Sequence, residues 1–248
     1  MPNIGGAPDE PGLSRSATTA FDPVFSQQRV SYEAGELIED ELADSPLRQF
    51  RRWYDDALAA GILEPNAMTL ATVDPAGLPS ARVVLLKHAD ALGFTFFTNY
   101  ESRKGTQLAG NPAAALVFAW IPLRRQVCVR GRTERVPAEE TAAYFGTRPW
   151  DSRIGAWASR QSRPLASRAE LERRWAQLAE RWPDTGRPDD VPVPAHWGGY
   201  VVRPVEVEFW QGRASRLHDR LVFLPEGEAT STPALDDAGA WRVERRQP

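Results

Sequence analysis

Hydrophobic and polar positions change rhythm several times along the chain. Leu47, Phe50, Tyr54 and Leu58 recur at helical spacing behind Ser45, a capping residue, and Pro46, which suits a first helical position; Gly61 supplies the stop. A period of two then takes over. Residues 67–73, 80–88 and 93–99 read as strands, the first closed by the turn sequence Asp74-Pro75-Ala76-Gly77. Residues 102–108 predict a short helix ended by Gly110 and Pro112, and residues 113–121 and 125–136 predict two further strands. The helical rhythm returns over 137–145. It returns again behind Ser167-Arg168-Ala169-Glu170, a capping box opening a helix striped by Leu171, Trp175, Leu178 and Trp182. Past a proline-rich connection at 183–194, Val205, Val207 and Phe209 alternate with Glu206 and Glu208 as a half-buried strand. Residues 220–224 and 240–245 complete the set. Six or seven of these runs as strands, joined mostly by short turns, predict a mainly β fold, an antiparallel barrel or sandwich with added helices. Residues 1–28, rich in Gly, Pro, Ser and Ala without periodicity, predict a flexible arm before a single domain spanning 29–248.

Composition narrows the function classes. With 42% hydrophobic residues over 248 positions the chain can bury a real core, which excludes a wholly disordered or disulfide-stapled protein. Cys128 is the only cysteine, so no internal disulfide or thiolate cluster can form. The longest apolar run, 113–121, falls short of a membrane span, and the first thirty residues lack a signal pattern, so a cytoplasmic location is expected. A net charge of -3 argues against general nucleic-acid binding. Of 30 cationic residues only Lys87 and Lys104 are lysines, and both fall in segments that combine cations with hydroxyls and aromatics.

No glycine-rich dinucleotide fingerprint, P-loop or serine-nucleophile elbow is present, and His88, His196 and His218 lack metal-ligand spacing. Four segments carry the positive signal. In Arg82-Val83-Val84-Leu85-Leu86-Lys87 a regular strand would put Arg82 and Lys87 on opposite faces; a strand with solvated charged ends fits the same residues. In 97–104 a strand end meets a helix start, where backbone N–H groups and the cations Arg103 and Lys104 make a phosphate cradle, or an ordinary capped surface helix. Tyr144, Arg148 and Ser152 could grip a second phosphate. Arg216, His218 and Arg220 would share one face if extended, a crowding of like charge from which a structural strand gains little.

Taken in order, RVVLLK, FFTNYESRK, RRQV, YFGTRPWDSRIGAWASRQS, HWGGY, EFWQG and RLHDR closely resemble the pyridoxine (pyridoxamine) 5′-phosphate oxidase family, from about Arg29 to Pro248. The resemblance implies a split β-barrel of the FMN-binding type that forms a homodimer with FMN at the subunit interface. It implies oxidation of pyridoxine or pyridoxamine 5′-phosphate to pyridoxal 5′-phosphate, with O2 as acceptor and H2O2 as product. It assigns FMN contacts to Arg82, Val83, Val84, Leu85, Leu86, Lys87, Phe97, Thr98, Arg103, Lys104, Gln126, Gln161, Ser162, Trp210 and Arg220. It assigns the substrate to Arg29, Tyr32, Lys87, Tyr144, Arg148, Ser152, Arg216, Leu217 and His218, with Arg216 and His218 as the catalytic pair. No metal is implied. The chain departs from the family at Trp150, where arginine is common and a charge beside the phosphate grip is lost, at Arg153, and at Arg246. Two other readings fit the same barrel: an FMN oxidase acting on another aromatic substrate such as a phenazine precursor, and a non-catalytic flavin or pyridoxal-phosphate binder.

Overall fold

The computed structural model describes residues 35–227 and 232–248. The expected arm at 1–28, and Arg29 and Tyr32 with it, lie outside the described residues. Helix α1 (Pro46–Ala59) begins as the sequence predicts, with Ser45 Oγ accepting the Arg48 N–H and Pro46 in the first turn. Its buried stripe, Leu47, Phe50 and Trp53, lies across the sheet. Phe50 meets Phe94 and Phe118 edge-on at 4.9 and 5.0 Å, and Trp53 meets Phe209 at 5.2 Å. Burying each such ring is worth roughly 1.5–3 kcal/mol, so this helix–sheet seam is where the fold is held.

The described strands number nine rather than six or seven, all antiparallel and all in one sheet. They are β1 (Ala67–Val73), β2 (Pro79–Leu85), β3 (His88–Ala89), β4 (Phe94–Asn99), β5 (Ala113–Trp120), β6 (Arg125–Arg135), β7 (Trp197–Gln211), β8 (Asp219–Pro225) and β9 (Trp241–Arg245). The order is β2-β1-β5-β6-β7-β4-β3, with β8 and β9 branching from β7. The run expected as one strand at 80–88 is two, because Leu86 N–H turns to Asn66 O and Lys87 N–H to Thr95 O. With β2 ended at Leu85, the opposite-face argument for Arg82 and Lys87 does not apply.

Strand β7 splits the barrel. Along one edge it pairs with β6; along the other it pairs first with β4, through residues 197–202, and then with β8, through 207–211. Its register against β6 slips once: Arg130 faces Glu206 but Gly131 faces Pro204, leaving Val205 as the extra residue of a bulge. Inward and outward positions exchange there. Tyr200, Val202 and Pro204 are buried before it, Val207 and Phe209 after it, Val205 is exposed and Glu208 is buried. The simple alternation expected over 205–209 is thereby corrected. Gly131 is required at the slip, since a Cβ there would stand 2.2 Å from Arg203 O.

Among the described residues five α-helices accompany the sheet: α1, α2 (Arg103–Gly110), α3 (Ala138–Gly146), α4 (Trp150–Ala158) and α5 (Arg168–Arg181). Helix α4 was not expected, since its sequence, WDSRIGAWA, lacks an amphipathic stripe of the usual width. It carries a second, smaller core in which Phe145, Ile154, Val191 and Trp197 are buried and Trp150, Trp157, Trp175 and Trp182 pack around them. No helix of the described residues is long and apolar enough to cross a membrane.

Candidate functional site

A cavity of about 680 Å³ opens between the β4 end, the start of β7 and helices α3 and α4. That volume suits a ligand of cofactor size. Of the expected site residues, Val83, Val84, Leu85, Lys87, Phe97, Thr98, Lys104, Tyr144, Arg148, Ser152 and Gln161 line it. Asn99, Thr147, Gly155, Ala156, Ser159 and Trp197 join the wall without having been singled out. Leu86 does not: its side chain is buried in the main core.

Aromatic stacking builds one wall. Phe97 lies on Tyr144 at 4.0 Å and on Trp197 at 5.3 Å, with interplanar angles of 21° and 12°. Glycine makes room for it: a Cβ at Gly199 would meet Phe97 at 2.9 Å and Val136 at 2.7 Å. The Arg148 guanidinium lies over Trp197 at 4.8 Å and over Phe145 at 5.5 Å. Its Nη1 is buried with no hydrogen-bond partner, and burial lowers its pKa from the ordinary arginine value. Arg148 is thus a cation in the cavity wall with a hydrogen-bond donor to spare, which suits an anionic guest.

A second set of cations gathers at the start of α2. Ser102 caps α2 by accepting the Gly105 N–H, which sets Arg103 and Lys104 at the helix start. Lys104 Nζ donates to Gln161 Oε1 at 2.6 Å, and Thr98 Oγ1 to the same oxygen at 3.4 Å. Burial first, and the charge of Arg82 second, push the Lys104 ammonium down to about 8. Arg82 is itself lowered, by burial and then by Arg103. Its guanidinium donates to Thr72 Oγ1 (2.6 Å), Ser80 Oγ (2.8 Å) and Leu70 O (3.2 Å), so Arg82 stands behind the wall and acts through its charge. Arg103 and Ser162 also lie outside the wall, the latter at a turn with φ +70°. The cavity wall holds Lys87, Lys104 and Arg148 and no carboxylate among the described residues. Two phosphate monoesters, one of them FMN, fit this donor set.

The other expected residues form a separate group. Gln126, Trp210 and Arg220 stand in one row across β6, β7 and β8, each opposite the next. Arg216, His218 and Arg220 do not share an extended face: 214–216 form a 3-10 turn in which Ser215 and Arg216 have φ of +57° and +63°, and β8 begins only at Asp219. The turn folds His218 back instead. Its ring lies 4.7 Å from that of Trp210, and its Nδ1 accepts the Arg213 N–H at 3.0 Å, so the neutral ring carries its proton on Nε2. Arg216 and Leu217 are exposed beside it. Within one chain the two groups sit toward opposite ends of β7, since Phe97 pairs with Gly199 while Gln126 pairs with Trp210. At roughly 3.3 Å per residue the contour between them is on the order of 35 Å, too long for one small ligand to bridge.

Two departures take on defined places. Trp150 turns away from the cavity: its Nε1 donates to Trp182 O at 2.9 Å and its ring meets Trp175 edge-on. It therefore fastens α4 to α5 and takes no part in the cavity wall. Arg153 is buried and donates to the carbonyls of Arg187 and Pro188, tying α4 to the proline-rich connection.

Comparison with known proteins bears on this geometry. A family profile described as pyridoxamine 5′-phosphate oxidase matches residues 54–181, and one described as the pyridoxine 5′-phosphate oxidase C-terminal dimerisation region matches 197–248. The chain is 58% identical over 222 residues to a pyridoxine/pyridoxamine 5′-phosphate oxidase of Kineococcus radiotolerans, covering 89% of this chain and 97% of that one. It is 55% identical to the oxidase of the same name from Bordetella petrii, covering 90% and 99%. Among solved structures it superposes on PhzG from Burkholderia lata in complex with tetrahydrophenazine-1-carboxylic acid, with TM-score 0.76 and 27% identity over 88% of this chain and all of that one. An FMN binding protein of Nostoc punctiforme, 17% identical with TM-score 0.61 over 80% of this chain and 97% of that one, shares the fold.

Proposed function

The chain belongs to the pyridoxine/pyridoxamine 5′-phosphate oxidase family, and from that premise we propose that it oxidises pyridoxine or pyridoxamine 5′-phosphate to pyridoxal 5′-phosphate as an FMN-dependent homodimer. The alcohol substrate gives up two hydrogens; the amine gives up two, takes up water and releases ammonia. O2 takes the electrons and leaves as H2O2. A cytoplasmic location belongs to the same reading and agrees with a chain whose single cysteine can form no internal disulfide.

The observation that carries the reading is a cavity wall that, among the described residues, holds Lys87, Lys104 and Arg148 and no carboxylate. Val83 to Leu85, Thr98, Lys104 and Gln161 would hold FMN on one side, with Arg82 and Arg103 adding charge behind them. Gln126, Trp210 and Arg220 of the other subunit would complete the site, which is why one chain separates the two groups. Bound flavin supplies two-electron acceptor chemistry that no side chain possesses. The chain's own residues bind and orient. Arg148, Tyr144, Ser152 and Lys87 grip the substrate phosphate, with Arg148 held flat by Trp197. Arg216 and His218 hold the pyridine ring, His218 offering Nε2–H because Nδ1 is engaged. Fixing the ring in register contributes several kcal/mol of barrier lowering, on the order of what positioning alone supplies.

The alternative of a phenazine-precursor oxidase rests on a likeness at 27% identity, against 51–58% for relatives named for the B6 phosphates. Anaerobic titration of the yellow protein with pyridoxine 5′-phosphate tests the proposal. Stoichiometric bleaching of the flavin absorbance is expected; an unbleached spectrum would favour the non-catalytic binder.

A further inference from the structure

Glu208 is the one acidic residue among the described residues that the fold buries. Burying a carboxylate is costly unless it is paired, so its position needs a reason. Past the bulge at Val205 the strand is regular, so Glu208 and Trp210, two residues apart, share a sheet face. Glu208 itself stands in the adjacent row, between Cys128 and Val222. From there its Oε2 accepts from Arg220 Nη2 at 2.6 Å, while Arg220 Nη1 donates to Gln247 O at 3.0 Å. Both terminal nitrogens of the guanidinium are thus tethered.

We propose that Glu208 is a positioning residue for FMN: by fixing the Arg220 guanidinium it sets cofactor affinity without touching the cofactor. The inference rests on the reading that this chain binds FMN and that Arg220 contacts it, and it adds to that reading a residue whose only contact with the ligand is through another side chain. A merely structural ion pair would change stability and leave cofactor affinity alone.

The test titrates apoprotein into FMN and follows quenching of FMN fluorescence, for the wild type, Glu208→Gln, Glu208→Asp, Arg220→Ala and the Glu208→Gln/Arg220→Ala double variant. Glu208→Gln is expected to raise the Kd by on the order of tenfold, the scale of a lost hydrogen bond to a charged group. Glu208→Asp, which keeps the charge, should recover part of that loss. In the Arg220→Ala background Glu208→Gln should add nothing. Cys128 reports whether the local fold survives: burial first and the Glu208 charge second push its thiol up to about 11. In a folded Glu208→Gln protein that value should fall. Wild-type-like affinity in Glu208→Gln, or losses that multiply in the double variant, would overturn the role of Glu208. A wild-type apoprotein that leaves FMN fluorescence unquenched would instead sink the reading beneath it.

Discussion

Lys104 shows how one side chain can couple cofactor binding to pH in two opposing senses. An unfolded chain keeps the lysine proton to about its ordinary 10.5, whereas the folded, unliganded chain releases it at about 8. Between those values unfolding takes up a proton, so stability of the apoprotein should rise with pH across that window. Affinity for a phosphate ligand should do the reverse, falling as pH passes about 8 and the ammonium is lost. Thermal melting and inorganic-phosphate binding, each followed from pH 7 to 10, would check both slopes, and Lys104→Met should flatten both. Arg148 and Arg216 divide differently. Arg148→Ala should raise KM, since the proposal puts this cation on the substrate phosphate. Arg216→Ala should lower kcat far more than it loosens FMN. Steady-state kinetics with flavin content measured on the same samples would separate the two, and an unchanged KM in Arg148→Ala would contradict the assignment. These residues were legible in the sequence because they fall in the segments of cations, hydroxyls and aromatics that carry the family resemblance. Glu208 was not, because alternation along the strand placed it with solvent.

The elements were read well wherever a local signal decides them. Ser45, Ser102 and Ser167 each cap the helix they precede, and β1 has the expected bounds. Failures came where tertiary contact decides. The bulge at Val205 reversed an alternation that looked regular, α4 is held by tryptophans from other segments, and β7 extends back to Trp197 through Gly198 and Gly199, residues that sequence propensity counts against a strand. That glycine stretch serves the cavity wall. Gly199→Ala should push Phe97 and Val136 outward, at a cost of roughly 1–3 kcal/mol for overpacking. Because Phe97 backs Tyr144, the same substitution should weaken substrate binding more than the loss of stability explains. Comparison of Tm with KM across Gly199→Ala and Gly199→Ser would show whether the two changes part company.

At the scale of the whole molecule, the expected site residues divide between two ends of one long strand, and the proposed homodimer would reunite them. Periodicity could not reveal this, since a strand pattern carries no information about which ends meet across a two-fold axis. The proposal gives it a measurable form: flavin release should track dissociation. Dilution through the dimer–monomer transition should free FMN at the concentration where sedimentation shows subunits separating. Retention of flavin by a demonstrated monomer would refute a shared site.

The second core has a consequence of its own. Trp150, Trp157, Trp175, Trp182 and Trp197 crowd one flank of the cavity, and Trp197 is part of its wall. Yellow chromophores absorb where indoles emit, so whatever coloured guest settles there will drain excited-state energy from this cluster and dim it. The protein carries a built-in optical gauge of filling, readable in the dark-adapted resting state before any turnover begins.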